Sequence, residues 1–262
     1  MTRAKFDNLV KQFQAAQGLS PADLAALEPY RAKRAIFLAA GFGSRLAPVT
    51  LTTPKPLVRV NGVRIIDTAI DACLAAGIRE IYIVRGYLAE QFDVLLEKYP
   101  MIQFLENPSY NSANNISSAY LARDLLENAY VLEADLLISN PAIIRPYHYQ
   151  SDVLGIKVEH SDDWCLFADA NGNVCEERLG GDHCYQMVGI YYFNAPDARE
   201  LSTDLFRTYH YIPDGKTQYW ETVPNQIHRG KYAIEILPCH QSDVIEIDTL
   251  AELQAIDKSY IT

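Results

Sequence analysis

The residues best placed to do chemistry lie between positions 38 and 57. Leu38-Ala39-Ala40-Gly41-Phe42-Gly43-Ser44-Arg45-Leu46 follows the apolar run Ala35-Ile36-Phe37-Leu38, and Thr53-Pro54-Lys55-Pro56-Leu57 comes soon after. Two close glycines after a strand let backbone N–H groups face an anion, while Arg45 and Lys55 bring two cations to the same place. Each cation alone reads as a solvated surface residue; their spacing around the glycine loop reads as a clamp on a phosphate. A dinucleotide-binding turn would need a third glycine where Leu46 stands, because that glycine permits close packing of helix on strand. Asp67 lies more than 20 residues downstream but within a helical pattern, not at a strand end. A P-loop would close on Gly-Lys-Ser/Thr, and no such triplet closes this loop.

These residues need a scaffold, and the pattern from Arg34 onward supplies one. A strand over 35–40 precedes the loop, and a helix over 65–76 is closed by Gly77. A strand at 80–84, a helix over 89–99, a strand at 102–105, a helix near 117–127 and a strand at 130–134 follow. Strands alternating with helices of this length imply right-handed crossovers and an α/β fold with a mainly parallel, doubly wound sheet. Further on, Asn171-Gly172-Asn173 signals a hairpin between strands at 164–169 and 174–178. A strand at 188–193, a helix over 197–209, a helix over 219–228 despite Pro224, and a strand at 234–237 come next. The chain closes with a strand at 244–248 and a helix over 250–256. Residues 1–33 read as a separate helical appendage. Phe6, Leu9, Val10 and Phe13 share a helical spacing, and Ser20-Pro21-Ala22-Asp23 is a second helix start. That pair could be a truncated helix-turn-helix, but it lacks a concentrated basic face and reads better as a packing or dimerisation element.

The run from Leu38 to Leu57 resembles the signature of nucleotidyltransferases that make NDP-sugars and CDP-alcohols. Gly86-Tyr87-Leu88-Ala89-Glu90-Gln91-Phe92, Asn114 to Tyr120, Tyr219-Trp220-Glu221 and Val244 to Leu250 look like the bacterial CTP:phosphocholine cytidylyltransferases. The resemblance covers most of residues 34–260, which places a nucleotidyltransferase domain at 34–262, and implies a Rossmann-like mixed sheet flanked by helices. It implies that Leu38, Ala39, Ala40, Gly41 and Gly43 hold base and ribose through the backbone, with Gly86, Asn115 and Ser117 near the cytosine and ribose. Arg45 would contact the triphosphate and Lys55 the reacting phosphates, a cationic clamp suited to phosphoryl transfer.

A nucleoside triphosphate normally arrives with Mg2+, which prefers carboxylate oxygens. Leu132-Glu133-Ala134-Asp135 sets a carboxylate just beyond a central strand, where ligands of open α/β sheets collect. The related enzymes carry an Asp-x-Asp or similar motif there; Asp135 matches its second acid, and Glu133 departs from the first. Asp248 in Glu246-Ile247-Asp248 is the expected second ligand, with a helix cap before Thr249-Leu250 as the lesser alternative. No general base is needed, because the attacking phosphate or phosphonate oxygen is already ionised.

The acceptor implied by the resemblance is phosphocholine. A quaternary ammonium has no N–H to donate and is best held by aromatic faces with a carboxylate nearby, which Trp164, Tyr219, Trp220 and Glu221 would supply. With 17 tyrosines in the chain, any one aromatic is equally a packing residue. 2-Aminoethylphosphonate is the near alternative. Sugar 1-phosphates are a further one, weakened because Glu176-Glu177-Arg178 lacks the lysine of the usual Glu-Lys-Pro stretch before Gly189-Ile190-Tyr191. A nicotinamide oxidoreductase and a silent CTP-binding module are the readings from other classes.

Composition bounds the rest. Apolar residues at 49% and charged residues at 21% describe an ordinary globular chain. A net charge of −10 argues against nucleic acid as a partner, which calls for a basic face. Five cysteines without a CxxC pair read as reduced thiols, not a zinc site or disulfide framework. Neither a signal peptide nor a membrane-spanning run of roughly 20 apolar residues is visible, so the expectation is a cytoplasmic protein.

Overall fold

The computed structural model describes residues 1–261. Helices α1 (Arg3–Gln14) and α2 (Pro21–Leu27) precede β1 (Arg34–Ala39), and a small hairpin of β2 (Arg59–Val60) and β3 (Val63–Arg64) leads into α3 (Ile65–Ala75). Strands β4 (Glu80–Arg85) and β5 (Gln103–Glu106), α4 (Ile116–Ala122), β6 (Ala129–Glu133) and β7 (Leu136–Ile138) follow. The long strands β8 (Asp152–Ala168) and β9 (Val174–Phe193), α5 (Ala195–Tyr211), β10 (Glu235–Cys239), β11 (Val244–Glu246) and α6 (Leu250–Ile256) complete the chain.

Seven strands form one sheet in the order β10-β8-β9-β6-β1-β4-β5. β1 lies between β4 and β6 and is parallel to both, while β9 runs antiparallel to its neighbours β6 and β8. The sheet is therefore mixed but mostly parallel, and it is Rossmann-like. β1 is apolar from Ala35 to Ala39 and buried there, as a strand covered on both faces must be. Alternate side chains serve opposite layers: Ala35, Phe37 and Ala39 pack with α3, and Ile36 and Leu38 with α4 and α5.

A third cluster ties the glycine loop to the C-terminus. Leu46 is fully buried with Val58, Ile65, Ile247 and Leu253. The side chain that stands where a dinucleotide turn needs glycine thus anchors the loop against α6. The N-terminal segment docks on the body: Phe6, Leu9 and Leu27 are buried with Tyr147, and Arg3 grips both carboxylate oxygens of Glu235 on β10 at 2.9 and 3.0 Å.

Several elements differ from expectation. Residues Ala89–Glu97 form a 3-10 helix, consistent with buried Phe92 and Leu95 lying three apart, the period of that helix. α4 stops at Ala122 and a 3-10 turn, Arg123–Leu125, replaces the expected remainder. Val223–Ile227 is a single π-helical turn in a segment where Pro224 has no N–H for an α-helical ladder. The strands expected at 174–178 and 188–193 are two ends of one continuous β9, whose register against β8 shifts around Gly189 at φ +76°. Together β8 and β9 make an arm that doubles back, since Cys165 pairs with both Arg178 and Gln186.

Candidate active site

The carboxyl ends of β1 and β6 open onto a cleft of about 670 Å³. The glycine loop forms one wall, with Leu38 to Arg45 all contributing. Gly43 has φ +60°, and a Cβ there would come within 2.8 Å of Lys55 Cβ, so the missing side chain is what lets Lys55 lie against the loop. Thr50 Oγ1 donates to the Gly43 carbonyl at 2.9 Å. The loop is braced from outside as well, by Tyr87 Oη on Thr50 O at 3.1 Å and Gln91 Nε2 on Thr52 O at 2.9 Å.

Acids meet the cations opposite this loop. Asp135 sits in the turn from β6 to β7, and β7 pairs with β11 in a register that sets Leu136 against Glu246. That pairing delivers Asp248, just past β11, to the same place. Lys55 Nζ donates to Asp135 Oδ2 and to Asp248 Oδ1 at 2.6 Å each, and Arg45 Nη2 donates to that Asp248 oxygen at 2.8 Å. Burial works against the Lys55 charge, but the two carboxylates outweigh it and hold the ammonium pKa up.

Asp248 does not cap α6. Thr249 does: its Oγ1 accepts from Glu252 N at 3.2 Å, while Glu252 Oε2 accepts the N–H groups of Asp248 and Thr249 at 2.8 Å each. This capping box holds the Asp248 backbone and leaves its carboxylate facing the cleft. Carboxylate oxygens of Asp135, Glu246 and Asp248 lie within 4.8 Å of one another, and Asp135 Oδ1 is buried without a partner. Glu246 is partly exposed, yet desolvation by the surrounding chain, then repulsion from Asp135 and Asp248, pushes its carboxyl up to about 8. Burial likewise pushes Glu133 well above the usual range, with Glu221 and Asp135 adding to it.

The remaining expected residues divide. Asn115 lines the cleft, its Nδ2 on Glu133 Oε1 at 3.2 Å and its Oδ1 receiving the Trp220 N–H at 2.9 Å. Ser117 lines it too, donating to Asn114 O at 2.8 Å and accepting from Asn107 Nδ2 at 2.9 Å. Gly86 does not form the wall; a Cβ there would strike Tyr110 Cβ at 2.6 Å, and Tyr110 is the residue that reaches the cleft. Of the four acceptor candidates, Tyr219 is on the wall, with Trp164 edge-on behind it at 6.0 Å. Trp220 is only 2% exposed, packed edge-on against both Tyr191 and Phe193, with Nε1 on Glu133 Oε1 at 3.4 Å. Glu221 is buried with Oε2 unpartnered, and burial pushes its carboxyl up to about 8.

Sequence reasoning left Glu246, Asn107, Tyr110 and Thr217 unassigned. A signal existed for two of these: Asn107 to Asn115 is a polar run between β5 and α4, at the strand end where ligands gather. Glu246 carried none, because its role depends on the pairing of β11 with β7.

The chain matches the family model described as Nucleotidyl transferase over residues 34–157. It is 42% identical over 231 residues to a 2-aminoethylphosphonate cytidylyltransferase of Lancefieldella rimae, covering 87% of this chain and 93% of that one. A choline-phosphate cytidylyltransferase of Haemophilus influenzae is 30% identical over 225 residues, with 85% and 95% covered. The solved CTP:phosphocholine cytidylyltransferase from Streptococcus pneumoniae aligns with TM-score 0.78 at 28% identity, over 87% of this chain and 99% of that one.

Proposed function

The chain belongs to the nucleotidyl transferase family, among its cytidylyltransferases, and on that premise we propose that it transfers CMP from CTP to 2-aminoethylphosphonate. The observation that carries the reaction type is the confrontation of Arg45 and Lys55 with Asp135 and Asp248 across the glycine loop. In the proposed step a phosphonate oxygen attacks the α-phosphorus in line. The O–Pα bond forms as the bond to the bridging oxygen breaks, and pyrophosphate leaves. The loop amides hold the nucleotide, Arg45 takes up charge on the triphosphate, and Lys55 neutralises charge on the reacting phosphates. Neither side chain exchanges a proton.

The carboxylates Asp135, Glu246 and Asp248, with one buried oxygen unpartnered, form the hard-oxygen donor set that suits Mg2+. A bound Mg2+ supplies charge neutralisation at the phosphate oxygens.

For the acceptor, preference moves from phosphocholine to a primary ammonium. Trp220 lies in the core, which takes one face away from an aromatic cage, while the half-buried Glu133 carboxylate lines the same cleft as Tyr219. An –NH3+ group donates to such acceptors and a quaternary ammonium does not. The relative named for 2-aminoethylphosphonate agrees with this reading. Phosphocholine stays the second reading, favoured by the structural match to the Streptococcus enzyme. Pyrophosphate release, with CTP and each acceptor in turn, separates them: 2-aminoethylphosphonate is expected to give the higher kcat/KM, and higher values for phosphocholine or a sugar 1-phosphate would reject the assignment.

A further inference from the structure

The cations assigned to the nucleotide and the carboxylates assigned to the metal are bonded to each other. Lys55 Nζ bridges Asp135 and Asp248 at 2.6 Å to each, and Arg45 shares the Asp248 oxygen at 2.8 Å. Lys55 is only 8% exposed, so water does not stand ready to replace either carboxylate. Arg45 is different: its side chain is 67% exposed and reaches Asp248 from the solvent side.

We infer that Lys55 and Arg45 are resident counter-ions of the metal-ligating carboxylates, and that metal and nucleotide bind by exchange of partners. The divalent cation takes Asp135 and Asp248 as the triphosphate takes Lys55 and Arg45. The inference deepens the proposed function and rests on its assignment of the metal ligands.

Charge accounting gives the exchange its force. A divalent cation entering alone meets the Lys55 ammonium between the oxygens it needs, and repulsion at such range is strong in a partly buried site. A triphosphate entering alone draws off both cations and leaves Asp135 and Asp248 uncompensated, with Glu246 beside them. When both enter, every charge keeps an opposite partner. The two ligands therefore strengthen each other's binding, by the same factor in each direction. Lys55 thus occupies the metal's place between the carboxylates in the free chain, besides its contact with the nucleotide.

The test is Mn2+ binding to nucleotide-free protein, read from the electron paramagnetic resonance signal of unbound Mn2+. Lys55→Met is expected to lower the Mn2+ Kd about tenfold or more, because two facing carboxylates lose their competitor. Arg45→Met is expected to lower it about threefold, since the exposed guanidinium competes from a better-screened position. Adding Asp135→Asn to Lys55→Met should abolish the gain. An unchanged or raised Kd in Lys55→Met overturns the exchange. If circular dichroism shows that variant unfolded, Arg45→Met decides by the same criterion. Retention of tight Mn2+ binding after Asp135→Asn rejects instead the metal assignment beneath it.

Discussion

Lys55 is the side chain on which most of the site depends, because it touches both carboxylates and packs under the glycine loop. Removing a preorganised cation from developing phosphate charge costs about 10²–10³ in rate. Lys55→Met is therefore expected to lower kcat for pyrophosphate release by that much, with a smaller change in the acceptor KM. Adjacent aromatics should behave in opposite ways. Tyr219 is 43% exposed on the cleft wall, so Tyr219→Ala is expected to raise the acceptor KM with little change in Tm. Trp220 is a core residue, and Trp220→Ala should cost about 3–5 kcal/mol in denaturant unfolding. Equal effects of the two changes on stability would contradict their placement.

At the scale of elements, the strand–helix alternation from Arg34 to Glu133 was legible because its apolar periods are local. The helix over 250–256 was legible to the residue. What stayed hidden depends on contacts distant in sequence. The doubled arm of β8 and β9 carries register shifts around Cys165 and Leu166 that no local period encodes. Residues 179–187 fall between two expected strands yet lie inside β9. The glycine loop and its cations were found by spacing alone, whereas Glu246 joined the acids only through the pairing of β11 with β7. The burial of Trp220 likewise reflects sheet packing, not its neighbours in Tyr219-Trp220-Glu221. The α6 cap offers a test at this scale. Thr249→Ala should cost about 1 kcal/mol of stability. It should also raise the Mg2+ concentration for half-maximal activity, because the backbone beside Asp248 loses its brace. A stability loss with no shift in Mg2+ demand would separate the cap from the site.

Across the whole molecule, buried acids set the response to pH. Buried Glu221 is pushed up to about 8 from an ordinary value of 4.5, and burial also raises Glu133, Glu177 and Asp152. The folded chain keeps protons that the unfolded chain has already lost between about 4.5 and 8, so it binds more protons and its stability falls as pH rises through that window. The Tm of nucleotide-free protein is expected to be lower at pH 8 than at pH 5.5, and Glu221→Gln should flatten the decline; a Tm that rises with pH would contradict it. The N-terminal helices, docked through Phe6, Leu9 and the Arg3–Glu235 pair, face away from this chemistry. Deleting residues 1–33 should lower Tm while leaving kcat unchanged, measured by calorimetry and pyrophosphate release. The cleft itself is assembled from separate stretches of chain. Its glycine-loop end comes from residues near the start of the sheet, and its Tyr219 end from a late loop backed by the arm bearing Trp164. Mutations can therefore accumulate around Tyr219 and the arm without disturbing the glycine loop and its charged partners. Descent with modification can change which alcohol or acid receives the cytidylyl group while the energy-rich donor stays the same.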